Sequence, residues 1–303
     1  MAMTRVQRVT LADMDLSTGK RARLHRLLYG NGPGNGTLML LPIDQGLEHG
    51  PRDFFVNPPA KDPDYQLQLA VEGHFSGIVF QYGIAAKHMA KYAGKVPLIL
   101  KLNGKTEIPP DNAPLSSLIA TVEDAVRLGA DAVGYTLYVG SAQQERDFAQ
   151  FRQVREDADR YGMPIIIWAY PRGEFIEAKG GKDSFYAIDY AARVAAELGT
   201  DVVKINVPKI NPEKDAKSPK EYASQVFTQE QALQQVVQSA GKTLVIFSGG
   251  DKESDELILG KARSGMAAGG TGVIFGRNLW QRPMGEAVQL ANNIHTMLKD
   301  FGA

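Results

Sequence analysis

The chain contains no cysteine. That excludes disulfides, thiolate metal sites and cysteine nucleophiles, although it does not by itself fix the redox compartment. Histidine is scarce too. The five, His25, His49, His74, His88 and His295, are scattered without metal-ligand spacing, which argues against a zinc-dependent enzyme and leaves no metal or cofactor implied. Net charge is zero, with 34 basic and 34 acidic side chains. Neither nucleic acid nor an anionic membrane is therefore expected as the main partner, and only local basic pockets remain for anionic small molecules. No apolar run is long enough to span a bilayer, and the polar start from Met1 to Arg8 lacks the apolar core of a signal peptide. The expectation is a cytoplasmic protein. No Gly-x-Ser-x-Gly elbow or Walker loop occurs. The glycine-rich stretch Gly30 to Gly36 precedes a strand, the reverse of a dinucleotide fingerprint, and reads as a flexible loop.

What the sequence does have is alternation. After an amphipathic lead-in around Leu24 to Leu28, short apolar runs predict strands at 38–44, 77–82, 97–102, 132–139, 164–170, 201–207, 243–248 and 272–276. Between them lie apolar residues at helical spacing: Leu118, Ile119, Val122 and Val126 in one stretch, Phe148, Phe151, Val154 and Ala158 in another. Thr228 to Gln231 fits a capping box, and Leu128-Gly129-Ala130-Asp131 and Leu198-Gly199-Thr200-Asp201 each place glycine where a helix stops and a strand restarts. Near-continuous apolar strands separated by helices imply a covered parallel sheet, and eight such units favour an α/β fold closed as a (β/α)₈ TIM barrel. An open doubly wound sheet is the alternative. Residues 1–303 read as a single domain, with 1–36 as an N-terminal lead-in helix and loop.

One residue breaks the apolar pattern of its strand. Lys204 stands in Asp201-Val202-Val203-Lys204-Ile205-Asn206, where a charge is costly unless it is used or paired. An ordinary lysine keeps about one molecule in a few thousand as free amine at neutral pH; burial and a second cation both raise that fraction, which is how enzymes obtain a Schiff-base lysine. The other reading is a core lysine that snorkels or pairs with a carboxylate. By strand parity Lys204 and Asn206 face inward, and on the preceding strand Trp168 and Tyr170 share a face beside them, either as part of a site or as ordinary packing at a barrel mouth. Asp44 follows the first strand, where catalytic groups of barrels sit, although an aspartate there also caps turns. His49 reads equally as a substrate contact or as a solvated loop residue. After strands seven and eight, Ser248-Gly249-Gly250 and Gly276-Arg277 offer glycine backbone and a charged fork, the recurring phosphate site of barrel enzymes. Lys101 is a second strand lysine, a candidate either to depress the Lys204 pKa or to contact substrate.

Together Leu41-Pro42-Ile43-Asp44-Gln45-Gly46-Leu47-Glu48-His49-Gly50, Trp168-Ala169-Tyr170-Pro171-Arg172-Gly173, Val203-Lys204-Ile205-Asn206, Ser248-Gly249-Gly250 and Phe275-Gly276-Arg277-Asn278 resemble the archaeal-type class I fructose-bisphosphate aldolases, which also occur in bacteria. The resemblance covers nearly the whole chain. It implies a metal-independent lyase of glycolysis and gluconeogenesis that cleaves fructose 1,6-bisphosphate to glycerone phosphate and glyceraldehyde 3-phosphate. It implies Lys204 as the Schiff-base lysine, Tyr170 in proton exchange, Asp44 binding hydroxyls and positioning water or the carbinolamine, and Trp168 walling the site. Phosphate would rest on Ser248, Gly249, Gly250, Gly276 and Arg277. The family also implies a homo-oligomer, often a large ring, and includes siblings that use the same lysine on other phosphorylated ketones, thiolase-like or transaldol-type. A reading of another class is a sugar-phosphate-binding barrel without catalysis. The segment 209–218 reads as either a lid or a subunit contact.

Overall fold

Eight strands close into a parallel barrel in the computed structural model, which describes residues 7–302. Most of the polar start, residues 1–6, and residue 303 lie outside the described residues. The strands are β1 (Leu38–Pro42), β2 (Gly77–Gln81), β3 (Leu98–Lys101), β4 (Ala132–Val139), β5 (Ile165–Pro171), β6 (Val202–Ile205), β7 (Leu244–Ser248) and β8 (Gly272–Ile274). Each pairs with its neighbours in chain order, and β8 returns to β1, so the open-sheet alternative is excluded. All eight stand where the apolar runs place them. Two of them, β6 and β8, end short of the predicted runs. β6 ends before Asn206, which is followed by Val207-Pro208, and Pro208 carries no N–H for the ladder. β8 ends before Gly276, whose backbone turns at φ −103° and ψ −85°.

Side-chain alternation separates two apolar regions. Leu40, Val79, Ile99, Ala132, Ile166, Trp168, Val202, Ile246 and Ile274 point into the barrel, and Leu24, Leu27 and Leu28 of the lead-in pack against them from below. The opposite faces, such as Leu100, Val133, Ile167, Val203 and Phe247, meet the outer helices. Burying one such Leu, Ile or Phe contributes about 1.5–3 kcal/mol. The helix Phe185–Glu197 shows the logic. Ile188, Ala191, Ala192 and Ala195 are all buried on one face, Ser184 caps its N-terminus by accepting from the Ala187 N–H at 3.3 Å, and Gly199 turns out of it at φ +90°.

The lead-in is more regular than a helix and loop. A 3₁₀ turn Leu11–Asp13 precedes a helix, Thr18–His25, that continues as one π-helical turn, Arg26–Gly30. Lys20 fastens it to the barrel floor, bonding Asp159 at 2.9 Å and Asp201 at 3.1 Å, while Asp201 also accepts from the Ile165 N–H at 2.8 Å. The predicted helix at Leu118 and Ile119 requires correction. Leu118 pairs with Asn103 in a two-residue antiparallel ribbon, both apolar residues are exposed, and the helix begins only at Val122 behind the Thr121 capping box. No helix among the described residues is long and apolar enough to cross a membrane.

Candidate active site

At the C-terminal end of the barrel a cavity of about 470 Å³ opens, the end at which barrel enzymes carry their chemistry. Lys204 reaches its floor from β6 and is 5% exposed. Its Nζ donates to the Tyr170 hydroxyl of β5 and stands 5.3 Å from the Trp168 ring centroid. Trp168 and Lys204 are register partners across β5 and β6, which is why these groups meet. Burial lowers the Lys204 pKa to about 8. Asp44 and Glu48 oppose that drop, and Lys101 and Arg277 add to it. At pH 7 such a lysine is free amine in about one molecule in ten, against one in a few thousand for an ordinary lysine.

Lys101 projects inward from β3 and is fully buried. Its Nζ bonds Glu48 Oε1 at 2.9 Å and approaches Asp44 Oδ2 to 3.5 Å, and it lies 5.1 Å from the Trp168 ring centroid. Burial opposes the charge on Lys101, but the two carboxylates outweigh it and hold its pKa above the ordinary lysine value. The indole therefore borders two ammoniums, one with its pKa lowered and one with its pKa raised. Room for it comes from Gly134 on β4, where a Cβ would lie 2.8 Å from Trp168 Cζ3 and 3.0 Å from Lys101 Cδ. Burial tends to raise the Asp44 pKa, and Lys101 and Lys204 more than offset it, keeping this carboxyl below its ordinary range. Tyr170 is the reverse: burial, reinforced by Glu48 and Asp44, pushes its phenol well above the usual value, so the resting group is the protonated acid.

The anion loops meet on the far wall. Ser248 donates to Asn206 Oδ1 at 2.5 Å, Gly250 turns at φ +71°, and a Cβ at Gly249 would crowd Asn278 Nδ2 at 2.8 Å. Gly276 sits 3.0 Å, by the same construction, from the Pro42 carbonyl, and Arg277 reaches the cavity while bonded to the exposed Asp251 at 2.7 Å. Backbone N–H groups without side-chain obstruction beside a guanidinium make a bed for phosphate.

Of the residues singled out from sequence, Lys204, Tyr170, Asp44, His49, Ser248, Gly249, Gly250, Gly276 and Arg277 line this one cavity. Trp168 and Lys101 do not; both are completely buried beneath it. His49 faces the cavity with its Nδ1 2.7 Å from Asp53 Oδ2. Glu48, Asn206, Arg172 and Tyr138 also line it and had no role assigned. Glu48 had a readable signal, a carboxylate one helical turn after Asp44.

The sequence signature of the DeoC/LacD family aldolases matches residues 38–282. The chain belongs to that aldolase family. Within it the aldolase is 40% identical over 248 residues to the class 1 fructose-bisphosphate aldolase of Thermoproteus tenax, covering 82% of this chain and 84% of the relative. It is 33% identical to a fructose-bisphosphate aldolase/6-deoxy-5-ketofructose 1-phosphate synthase of Methanocaldococcus jannaschii, over 86% and 81% of the two chains. A solved archaeal fructose-1,6-bisphosphate aldolase, its catalytic lysine bound to a carbinolamine intermediate, is 36% identical with a TM-score of 0.77, covering 91% of this aldolase and 99% of that chain. The family implied by the motifs is the one found, and the fold is shared across it.

Proposed function

We propose that this class I aldolase cleaves fructose 1,6-bisphosphate reversibly, with Lys204 as the amine nucleophile and Tyr170 as the proton carrier. The observation that supports it best is the Lys204–Tyr170 contact at the floor of a cavity whose far wall is an anion bed. One phosphate rests on Ser248, Gly249, Gly250, Gly276 and Arg277. This brings the C2 ketone to Lys204, which adds as free amine. Tyr170 gives its proton to the departing carbinolamine hydroxyl, leaving an iminium beside a phenolate. That phenolate then takes the C4 hydroxyl proton as the C3–C4 bond breaks into the iminium. Glyceraldehyde 3-phosphate leaves, and Tyr170 returns the proton to C3 of the enamine. At each stage the phenolate exists only beside the iminium, so the low-dielectric floor never holds an unbalanced charge. Asp44, held ionised by the two lysines, accepts from substrate hydroxyls and orients water for carbinolamine formation and hydrolysis. His49 contacts substrate at the rim, while Trp168 and Lys101 act from beneath by shaping and charging the floor.

The test is borohydride reduction with glycerone phosphate, followed by peptide mass analysis, alongside fructose 1,6-bisphosphate cleavage in EDTA. An adduct on Lys204 with EDTA-resistant cleavage is expected. No adduct on Lys204 would sink the assignment. The dual name of the Methanocaldococcus relative supports a second reading, in which the same lysine serves another phosphorylated ketone; an adduct without cleavage is its signature. We infer further that the chain works as one domain in a cytoplasmic homo-oligomer. Exposed Phe55, Val56, Phe175 and Val226 are candidate contacts, and light scattering of the purified protein decides it.

A further inference from the structure

Tyr138 lines the cavity and is not used by the mechanism above. It is the penultimate residue of β4 and the register partner of Tyr170 on β5, so the two phenols stand on the same inward face one strand apart. Both are two residues nearer the mouth than the level of Trp168 and Lys204. The Tyr138 hydroxyl accepts only a long bond, 3.5 Å, from Ser116 Oγ, and among the described residues nothing accepts its proton.

A built support lies behind it. The fully buried Asp147 carboxylate accepts from the Tyr138 backbone N–H at 3.1 Å and from the Tyr135 hydroxyl at 2.6 Å. Gln150 donates to the same Tyr135 hydroxyl at 2.7 Å and to the Ser116 carbonyl at 2.8 Å. Strand end and Ser116 are thereby held together, and the ring, 6% exposed, has a fixed place. Burial raises the phenol's pKa above its ordinary value, so it stays a donor.

Position in the barrel says what it donates to. The anion loops follow β7 and β8, Lys204 is on β6, Tyr170 on β5 and Tyr138 on β4. A substrate anchored at the first pair and bonded through C2 to Lys204 must carry its remaining carbons past Tyr170 toward Tyr138. We propose that Tyr138 is a specificity-determining residue for the aldehyde half of the substrate, donating a hydrogen bond to the oxygen on C4. The inference rests on the aldolase reading above. Tyr138 keeps its proton throughout; Tyr170 exchanges the proton of that oxygen, and Tyr138 holds the oxygen itself. In the synthetic direction this donor presents one face of the incoming aldehyde to the enamine, and so sets the configuration at C4.

The experiment is Tyr138→Phe measured against the unmodified enzyme in two half-reactions and one whole reaction. Borohydride trapping of glycerone phosphate, and deuterium exchange at its carbon that becomes C3, involve no aldehyde and should stay within about twofold, whereas cleavage kcat/KM should fall by about 10- to 100-fold, the size of one lost hydrogen bond in a water-poor site. Condensation of glycerone phosphate with glyceraldehyde 3-phosphate should yield the C4 epimer beside fructose 1,6-bisphosphate. Unchanged cleavage with a single product epimer would overturn the inference, and so would loss of exchange together with cleavage. No adduct in the unmodified enzyme would bring down the aldolase reading itself, and this inference with it.

Discussion

Replacing Lys101 by methionine should move the titration of Lys204 upward. The two ammoniums lie 5.1 and 5.3 Å from the Trp168 ring, so they are no more than about 10 Å apart. Two unit charges at that distance repel by about 1.7 kcal/mol at an effective dielectric constant of about 20, a little over one pKa unit. Removing Lys101 also leaves Asp44 and Glu48 with Lys204 as their nearest ammonium, which pushes the same way. From a starting value of about 8, Lys204 would then titrate near or above about 9. Only the free amine attacks, so activity must rise with pH through that value. At pH 7 kcat/KM for fructose 1,6-bisphosphate should drop about tenfold, and the deficit should close above about pH 10. The assay is the acid limb of the kcat/KM profile between about pH 6 and 10. Glu48→Gln is the control of opposite sign, because it removes a carboxylate that holds the Lys204 charge; its limb should move down. A uniform loss at every pH, or limbs that move the same way in both variants, would refute this electrostatic account.

Three further outcomes are expected. Tyr170→Phe should still form the borohydride adduct, but more slowly because water must replace the phenol in expelling the carbinolamine hydroxyl, while cleavage and C3 proton exchange fall by at least about 100-fold; near-normal cleavage would remove the proton-carrier role. Arg277→Gln should raise KM for the bisphosphate by about 10- to 100-fold with a smaller change in kcat, read from initial rates, and an unchanged KM would place the phosphate elsewhere. Gly162→Ala should cost about 2–4 kcal/mol in urea unfolding, because Gly162 sits at φ +57° and its Cβ would lie 2.9 Å from Gly19 Cα; an unchanged midpoint would show that this contact yields freely.

Lys204 was legible because it interrupts its own strand, and Asp44 because a barrel strand ends on it. Parity placed Trp168 beside Lys204, and Lys101 stood out as a second strand lysine, but neither observation gives depth. Whether an inward side chain reaches the cavity depends on the stagger between strands, which is fixed by pairings such as Trp168 with Lys204 and Tyr138 with Tyr170. That is why Lys101 and Trp168 read as substrate contacts yet lie beneath the floor, and why Tyr138 was passed over. Glu48 was marked by its spacing from Asp44, but its pairing with Lys101 was hidden because the two are remote in the chain. The reading of Leu118 and Ile119 failed because apolar spacing over so few residues does not distinguish a helix face from two exposed residues in a ribbon.

The barrel closes where β8 meets β1, with Gly272 opposite Leu38. A Cβ at Gly272 would lie 2.0 Å from the Leu38 carbonyl oxygen, so this seam tolerates only glycine. Asp44 and Arg277 stand just past its two sides, whereas Lys204 and Tyr170 come from the middle of the chain. Joining the first strand to the last is the longest-range contact such a topology makes, and its loop-closure cost makes it slow. The groups of the candidate site are therefore expected to come together only in a late folding event. During refolding, recovery of fructose 1,6-bisphosphate cleavage should lag the return of helical circular dichroism, and that lag would time the closure of the seam.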